Sequence, residues 1–90
     1  MRRYLVHRHG GPEVLRLDDA PEPEPAAGQV RVATHAIGIN FADLIQRTGH
    51  YPRQPPMPFT PGMEAAGVVD AVGEGAPPEL LGRRVMAVPI

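Results

Sequence analysis

The 90-residue sequence contains no cysteine, which excludes disulfides, thiolate metal sites and thiol nucleophiles from it. It also lacks lysine, so a Schiff-base lysine is excluded. No apolar run approaches the roughly 20 residues that a bilayer-spanning helix needs. Charge returns too soon after Met1 for the apolar core of a signal peptide. We therefore expect a soluble, cytoplasmic protein without a membrane partner.

The formal net charge of −1 gives no electrostatic reason to expect nucleic acid as a partner. The length suits one small domain. Twelve prolines and ten glycines argue against a helical bundle and favour short strands joined by fixed turns. Proline alternates with acidic residues from Pro21 to Pro25, which predicts an extended connector.

Hydrophobic patterning predicts mostly strands. Two short runs, Tyr4–Arg8 and Val14–Leu17, flank Gly10-Gly11-Pro12 and predict a β-hairpin. Alternating or β-branched residues predict three further strands, over Gln29–Gly38, Ala65–Val72 and Val85–Val88. Because a strand has just begun, we do not expect Pro89-Ile90 to be a natural end of the fold.

One short helix is predicted over residues 41–48, with Gly49 as its stop. Its apolar stripe, at positions i, i+3, i+4 and i+7, consists of Phe41, Leu44, Ile45 and Thr48. The fold class is therefore β-rich with one short helix.

Asn40 precedes this helix and allows two compatible roles. Asparagine is a favoured helix N-cap, because its side-chain oxygen accepts a backbone N–H of the first turn. Its NH₂ group can at the same time point outward and donate to a carbonyl or to a nicotinamide amide. Asp43, three residues later, suits the positive end of the helix dipole.

Tyr51 follows the helix and also has two interpretations. Its ring can cover the helix, or its phenol can donate to a substrate oxygen from a loop that Pro52 stiffens. A metal site is not expected, because no two histidines have helical ligand spacing. The four histidines are His7, His9, His35 and His50.

Two glycine-containing segments, residues 62–67 and 73–75, carry residues whose structural role can be predicted. Glu64 enters a strand among small apolar residues, so its carboxylate must be exposed, paired or functional, and of these we expect an ion pair or backbone hydrogen bonds. Gly67 within that strand indicates close backbone approach. Gly73-Glu74-Gly75 follows a strand, as a dinucleotide fingerprint does, but Pro78 stands where Gly or Ala is needed. We interpret it as a turn.

Ordered segments across nearly the whole chain resemble the medium-chain dehydrogenase/reductase superfamily, in particular its quinone oxidoreductase, or zeta-crystallin, branch. The segments that carry the resemblance are Gly10–Leu15, Gly38–Asp43, Arg47, Gly49, Tyr51-Pro52, Pro61–Val69 and Val72-Gly73. One departure is visible: Arg83 stands where relatives commonly have an aspartate that stabilises the turn.

The resemblance implies that residues 1–90 are an incomplete N-terminal GroES-like catalytic domain, a partly open β-barrel. The doubly wound Rossmann domain that binds NADPH would be missing from this chain. The implied activity is NADPH-dependent reduction of a quinone or enone by a longer enzyme, and the 90-residue chain alone is predicted to be inactive. Family dimers associate largely through that second domain, so the oligomeric state stays open.

The resemblance also bears on site residues. Alcohol dehydrogenases of the superfamily have zinc-binding cysteine and histidine where this chain has Asn40 and Met63, so no catalytic zinc is expected. Asn40 and Tyr51 are implied to line the cleft near nicotinamide and substrate as catalytic and cofactor-binding residues. Asp43 is implied as a local hydrogen-bond anchor near the cofactor.

Two alternative functions remain open from the sequence. The chain can be a non-catalytic β-domain that serves as an interaction module. It can also belong to an enoyl reductase of a polyketide-type system, since such modules share much of this pattern.

Overall fold

The computed structural model describes residues 1–88. Within them are five strands, one α-helix and two short 3-10 turns. The strands are β1 Arg2–Val6, β2 Leu15–Asp19, β3 Val30–Ile37, β4 Ala65–Val72 and β5 Arg84–Ala87; the helix is α1 Phe41–Thr48. The 3-10 turns are Pro12–Val14 and Pro78–Leu80. The prediction of a β-rich chain with one short helix is confirmed, and the expectation attached to Pro89-Ile90 lies outside the described residues.

The chain divides into two compact units, each built from two segments. The first unit joins Met1–Pro21 to Ile39–Met63, and the second joins Glu22–Gly38 to the chain from Glu64 onward. The first contains the antiparallel β1–β2 hairpin and α1, and the second contains an antiparallel sheet in the order β3-β4-β5.

The predicted hairpin is confirmed, but both of its strands extend further from the turn than expected. The reason is charge complementarity across the ladder, where Arg2 lies opposite Asp19 and Arg3 opposite Asp18. Opposite charges on facing strands stabilise the pairing, so charged residues continue both strands. Near the turn, the 3-10 turn Pro12–Val14 replaces the predicted start of the second strand.

The first unit has a small apolar core of Val6, Val14 and Phe59, each at most 6% exposed. Phe59 lies in the proline-rich loop of residues 51–61, between α1 and β4. Its backbone N–H donates to the Val6 carbonyl at 3.1 Å, and its carbonyl accepts the Val6 N–H at 2.8 Å. This isolated bridge ties the loop to the end of β1.

The second unit relies on close backbone approach. A Cβ added to Gly67 of β4 would overlap the carbonyl oxygen of Ala33 on β3, which confirms the expectation for that glycine. Gly73-Glu74-Gly75 is a turn, as predicted, and Gly75 has a φ of +80°. A Cβ at Gly73 would overlap the carbonyl oxygen of Ala26, so this glycine also permits close packing.

The boundaries of α1 agree with the prediction, but its buried face does not. Phe41 is 75% exposed and Leu44 42% exposed, whereas the buried helical residue is Gln46. The expected apolar stripe is therefore not the face that packs within the first unit. Periodicity located the helix, but the surrounding loops, tied to it by polar contacts, determine which side is covered.

No helix within residues 1–88 has both the length and the apolar character needed to cross a bilayer.

Candidate functional site

The turn that enters α1 is held by Asn40 and Asp43. Asn40 occupies the N-cap position with an extended backbone, φ −118° and ψ 158°, as predicted. The Asp43 carboxylate accepts the Asn40 N–H through Oδ2 at 3.0 Å, and the Asp43 N–H donates to the Asn40 carbonyl at 3.0 Å. These two bonds satisfy donors at the helix N-terminus, and the Asp43 carboxylate takes the reciprocal role that the third helical residue has in a capping box.

The other oxygen of Asp43 is unusual. Oδ1 is buried and has no hydrogen-bond partner within residues 1–88. An unpaired buried acceptor is costly, so this atom can accept a hydrogen bond from a group that the chain itself does not supply.

The exit from α1 is fixed by Gly49 and His9. Gly49 has a φ of +88°, the left-handed conformation that ends many helices, as predicted. A Cβ at this position would approach Nδ1 of His9 to 2.8 Å, so the imidazole ring packs directly on the glycine. The His50 N–H donates to the Ile45 carbonyl at 3.0 Å and completes the helix end.

Arg47 attaches the helix end to the loop after β1. Its Nε donates to the Gly10 carbonyl at 3.2 Å, and its own carbonyl accepts the Gly10 N–H at 3.0 Å. These two bonds join Gly10 and Arg47, two positions that both belong to the family resemblance.

Tyr51 lies just beyond the helix end and is half-buried. Its backbone N–H donates to Oε1 of Gln54 at 2.9 Å. Its phenol oxygen has no hydrogen-bond partner in the part of the chain that the structure describes, so it is available as a donor to a bound molecule.

The structure brings Asn40 and Asp43 together and places Tyr51 at the opposite end of α1. An eight-residue helix rises about 12 Å, and Asn40 and Tyr51 share no hydrogen bond within residues 1–88. Both residues lie in the first unit. Sequence analysis missed Gln54, because a polar residue between prolines carries no motif.

The histidines and acidic residues do not form a metal-binding cluster. Within residues 1–88, no group of three or more His, Cys, Asp or Glu side chains is arranged to hold a metal ion. His7 lies 3.5 Å from Asp18, and His50 Nδ1 lies 3.2 Å from the Thr48 hydroxyl. His9 contacts Gln54.

The expectation for Glu64 was wrong. Its side chain is exposed and has neither an ion pair nor a hydrogen bond within residues 1–88. It lies against Gly38, where a Cβ would overlap its carboxylate. Because the Glu64 carboxylate stays in contact with water, it pays no desolvation cost and needs no ion-pair or hydrogen-bond partner.

Two groups in the described chain have altered pKa values. Hydrogen bonds from the backbone N–H groups of Glu13 and Gly11 lower the pKa of the Glu13 carboxyl. A hydrogen bond to Asp70 raises the pKa of Arg31. Both shifts stabilise the charged forms, and both groups hold loops in place.

The residues near α1 fit only one end of a dinucleotide. The Tyr51 phenol can donate to a carbonyl oxygen, whereas the unpaired Asp43 oxygen can only accept, from an N–H or O–H group such as that of a carboxamide. For the pyrophosphate, the Gly73-Glu74-Gly75 turn leads into the 3-10 turn Pro78–Leu80 instead of the α-helix that such a site uses.

Comparison with known proteins supports the same family. Residues 26–90 match the family model of the alcohol dehydrogenase GroES-like domain, which confirms the GroES-like fold. A rat synaptic vesicle membrane protein VAT-1 homolog is 51% identical over 90 residues, covering 98% of this chain and 22% of that protein. A Salmonella typhimurium quinone oxidoreductase is 48% identical over 84 residues, covering 93% and 25%.

A solved structure shows the likeness in three dimensions. Escherichia coli quinone oxidoreductase complexed with NADPH aligns with a TM-score of 0.89 at 42% identity, covering 98% of this chain and 27% of that one. The chain thus spans about a quarter of the length of these relatives. It belongs to the alcohol dehydrogenase GroES-like domain family and is similar to quinone oxidoreductases and VAT-1 homologs.

Proposed function

We propose that this chain is the substrate-side segment of a longer, zinc-independent reductase that uses NADPH to reduce a quinone or an enone. The observation that carries the proposal is the polar turn of Asn40 and Asp43 at the start of α1, in a chain similar to quinone oxidoreductases. One solved relative is a complex with NADPH, which supports this cofactor.

NADPH, when bound by the longer protein, supplies the hydride. The residues of this chain orient the acceptor and stabilise the negative charge that develops on its oxygen. We assign either the Asn40 carboxamide or the Tyr51 phenol as the donor to that oxygen, because each is a half-buried polar group at one end of α1. Asp43 holds the Asn40 backbone, so its role is to position that donor.

Independence from zinc rests on chemistry at two positions. A carboxamide at Asn40 and a thioether at Met63 stand where zinc-dependent relatives carry cysteine and histidine. Hydrogen-bond donors then replace the metal as the stabiliser of the oxyanion. Metal analysis of the purified full-length protein should find no stoichiometric zinc, and a chelator should leave its activity unchanged; zinc-dependent activity would contradict the assignment.

The donor roles are tested in the full-length protein by combining Asn40→Asp with Tyr51→Phe. Aspartate remains a good N-cap but cannot donate when ionised, so the helix start is preserved. We expect NADPH-dependent quinone reduction to fall by about tenfold or more. Tyr4→Phe is the matched control, because Tyr4 is 52% exposed on β1. Unchanged turnover in the double variant would refute the site.

Two alternatives to the proposed reductase are a non-catalytic interaction module and a polyketide-type enoyl reductase. The genetic context distinguishes the three. A reading frame that continues past Ile90 into a strand, a glycine-rich turn and a helix favours the reductase. A neighbouring acyl-carrier or ketoreductase sequence favours the polyketide alternative.

A further inference from the structure

The side-chain amide of Gln54 makes three hydrogen bonds at the exit of α1. Oε1 accepts the Tyr51 N–H at 2.9 Å. Nε2 donates to the Gln46 carbonyl at 3.2 Å and lies 2.9 Å from Nε2 of His9. One carboxamide therefore joins the Tyr51 backbone, the last turn of the helix and the loop that follows β1.

Two of these partners fix the orientation of the amide. The Tyr51 N–H can only donate, and the Gln46 carbonyl can only accept, so the oxygen must face Tyr51 and the NH₂ must face the helix. The second N–H of that NH₂ group then points to His9, whose Nε2 must accept it. The three bonds are mutually consistent with one arrangement.

The surroundings restrict Gln54 further. Gln46, whose carbonyl it binds, is the buried residue of α1 at 9% exposure. The ring of His9 packs on Gly49. A side chain bound at three points between a buried helix face and a packed imidazole has little freedom, so its Oε1 is a fixed acceptor.

We infer that Gln54 is a positioning residue, which fixes the Tyr51 backbone and thereby the direction in which the phenol is presented. The inference rests on the proposed function for its catalytic consequence, but the anchoring of Tyr51 is independent of that function. Gln54 does not contact the reacting groups; it acts through Tyr51.

The experiment compares Gln54→Leu and Gln54→Glu in the full-length protein. Leucine removes all three bonds, whereas glutamate keeps an oxygen acceptor for the Tyr51 N–H and loses the two donated bonds. Gln29→Leu is the matched control, because Gln29 Oε1 accepts the Ala26 N–H at 3.1 Å with the same three-residue spacing in the other unit.

Amide hydrogen exchange at Tyr51, followed with a tyrosine-specific isotope label, tests the anchor. We expect exchange roughly tenfold faster in Gln54→Leu, a smaller acceleration in Gln54→Glu, which keeps only the acceptor, and wild-type exchange in Gln29→Leu. Equal protection of this amide in Gln54→Leu and the wild type would overturn the inference, whatever reaction the protein catalyses.

Quinone reduction by NADPH tests the consequence. We expect Gln54→Leu to lower kcat/KM by about fivefold to tenfold, with Gln54→Glu restoring most of it. In a Tyr51→Phe background, Gln54→Leu should add no further loss, because the donor it directs is already gone. An equal loss in both backgrounds would overturn the positioning role. A wild-type protein without quinone reduction would refute the proposed function and leave the exchange result to decide the anchor.

Discussion

The Asp43 carboxylate accepts the backbone N–H of Asn40 at 3.0 Å through Oδ2, while its Oδ1 is buried without a partner within residues 1–88. Oδ2 therefore stabilises the start of α1, whereas Oδ1 is an acceptor that no donor within the described residues satisfies.

Asp43→Ala should lower the free energy of unfolding by about 1 kcal/mol, because the Asn40 N–H loses its acceptor. Urea unfolding followed by circular dichroism measures the difference. Glu79→Ala removes an exposed carboxylate that has no ion pair or hydrogen bond within residues 1–88 and serves as control. Equal midpoints for Asp43→Ala and the control would contradict the structural role.

Gly49→Ala should destabilise the protein more than Gly75→Ala, by about 1 kcal/mol. Both glycines have positive φ, +88° and +80°, so both substitutions carry the cost of a left-handed backbone. Only Gly49 has a neighbour, since its Cβ would overlap the His9 ring while Gly75 faces open space. The difference in unfolding midpoints isolates the contact with His9, and identical midpoints would show that the ring moves away freely.

Arg31→Met should lower the thermal unfolding midpoint most at low salt. Arg31 Nε donates to Asp70 at 2.8 Å, and its guanidinium lies 3.5 Å from Glu24 and 3.9 Å from Glu22. Removing it leaves three carboxylates that repel one another, and salt screens that repulsion.

Adding Asp70→Asn to Arg31→Met should recover part of the loss, because one of the repelling charges is gone. Arg84→Met provides the control, since Arg84 is exposed and has no ion pair within residues 1–88. If the lowering of the unfolding midpoint in Arg31→Met does not decrease with added salt, lost packing of the Arg31 side chain, and not lost charge, causes the destabilisation.

Lowering the pH should destabilise the loop around Glu13, whose carboxylate accepts the Gly11 N–H. The folded-state pKa of this carboxyl lies below its ordinary value of 4.5, because backbone N–H groups bind the charged form. A depressed carboxyl pKa contributes stability above the ordinary value, and the contribution is lost as pH falls through the folded pKa. Glu13→Gln should therefore be less stable than wild type at neutral pH, and the difference should disappear as the pH falls through the folded-state pKa of Glu13.

An NMR titration of the Glu13 carboxyl, read together with the Gly11 amide that donates to it at 3.2 Å, measures the same shift directly. A midpoint at or above the ordinary value would refute the pKa shift and the stability argument that depends on it.

The 90-residue chain on its own should neither bind NADPH tightly nor reduce quinones. Within its described residues, the glycine turn Gly73-Glu74-Gly75 leads into the 3-10 turn Pro78–Leu80 and so offers no helix N-terminus for a pyrophosphate. Calorimetric titration of the isolated chain measures this. Binding in the micromolar range would contradict the prediction.

Much of the secondary structure could be predicted from short sequence patterns. The bounds of α1 and β4 follow from patterns and caps a few residues long, with Asn40 at one end of the helix and Gly49 at the other. The family could also be recognised, because its short motifs recur in order along the chain. These features depend on neighbours within about four positions, which the sequence displays directly.

Contacts between distant residues were decided only by the tertiary structure. The Gln54–His9 bond spans 45 positions and the Arg31–Asp70 pair 39, and no pattern marks either of them. The buried face of α1 is likewise set by what packs against it, so Gln46 is covered while Phe41 is exposed. The sequence by itself determined where the helix and strands form and which family the chain joins. The route of the chain between them determined how Tyr51 is anchored, because a polar side chain finds its partners only after the loops have brought them within hydrogen-bond distance.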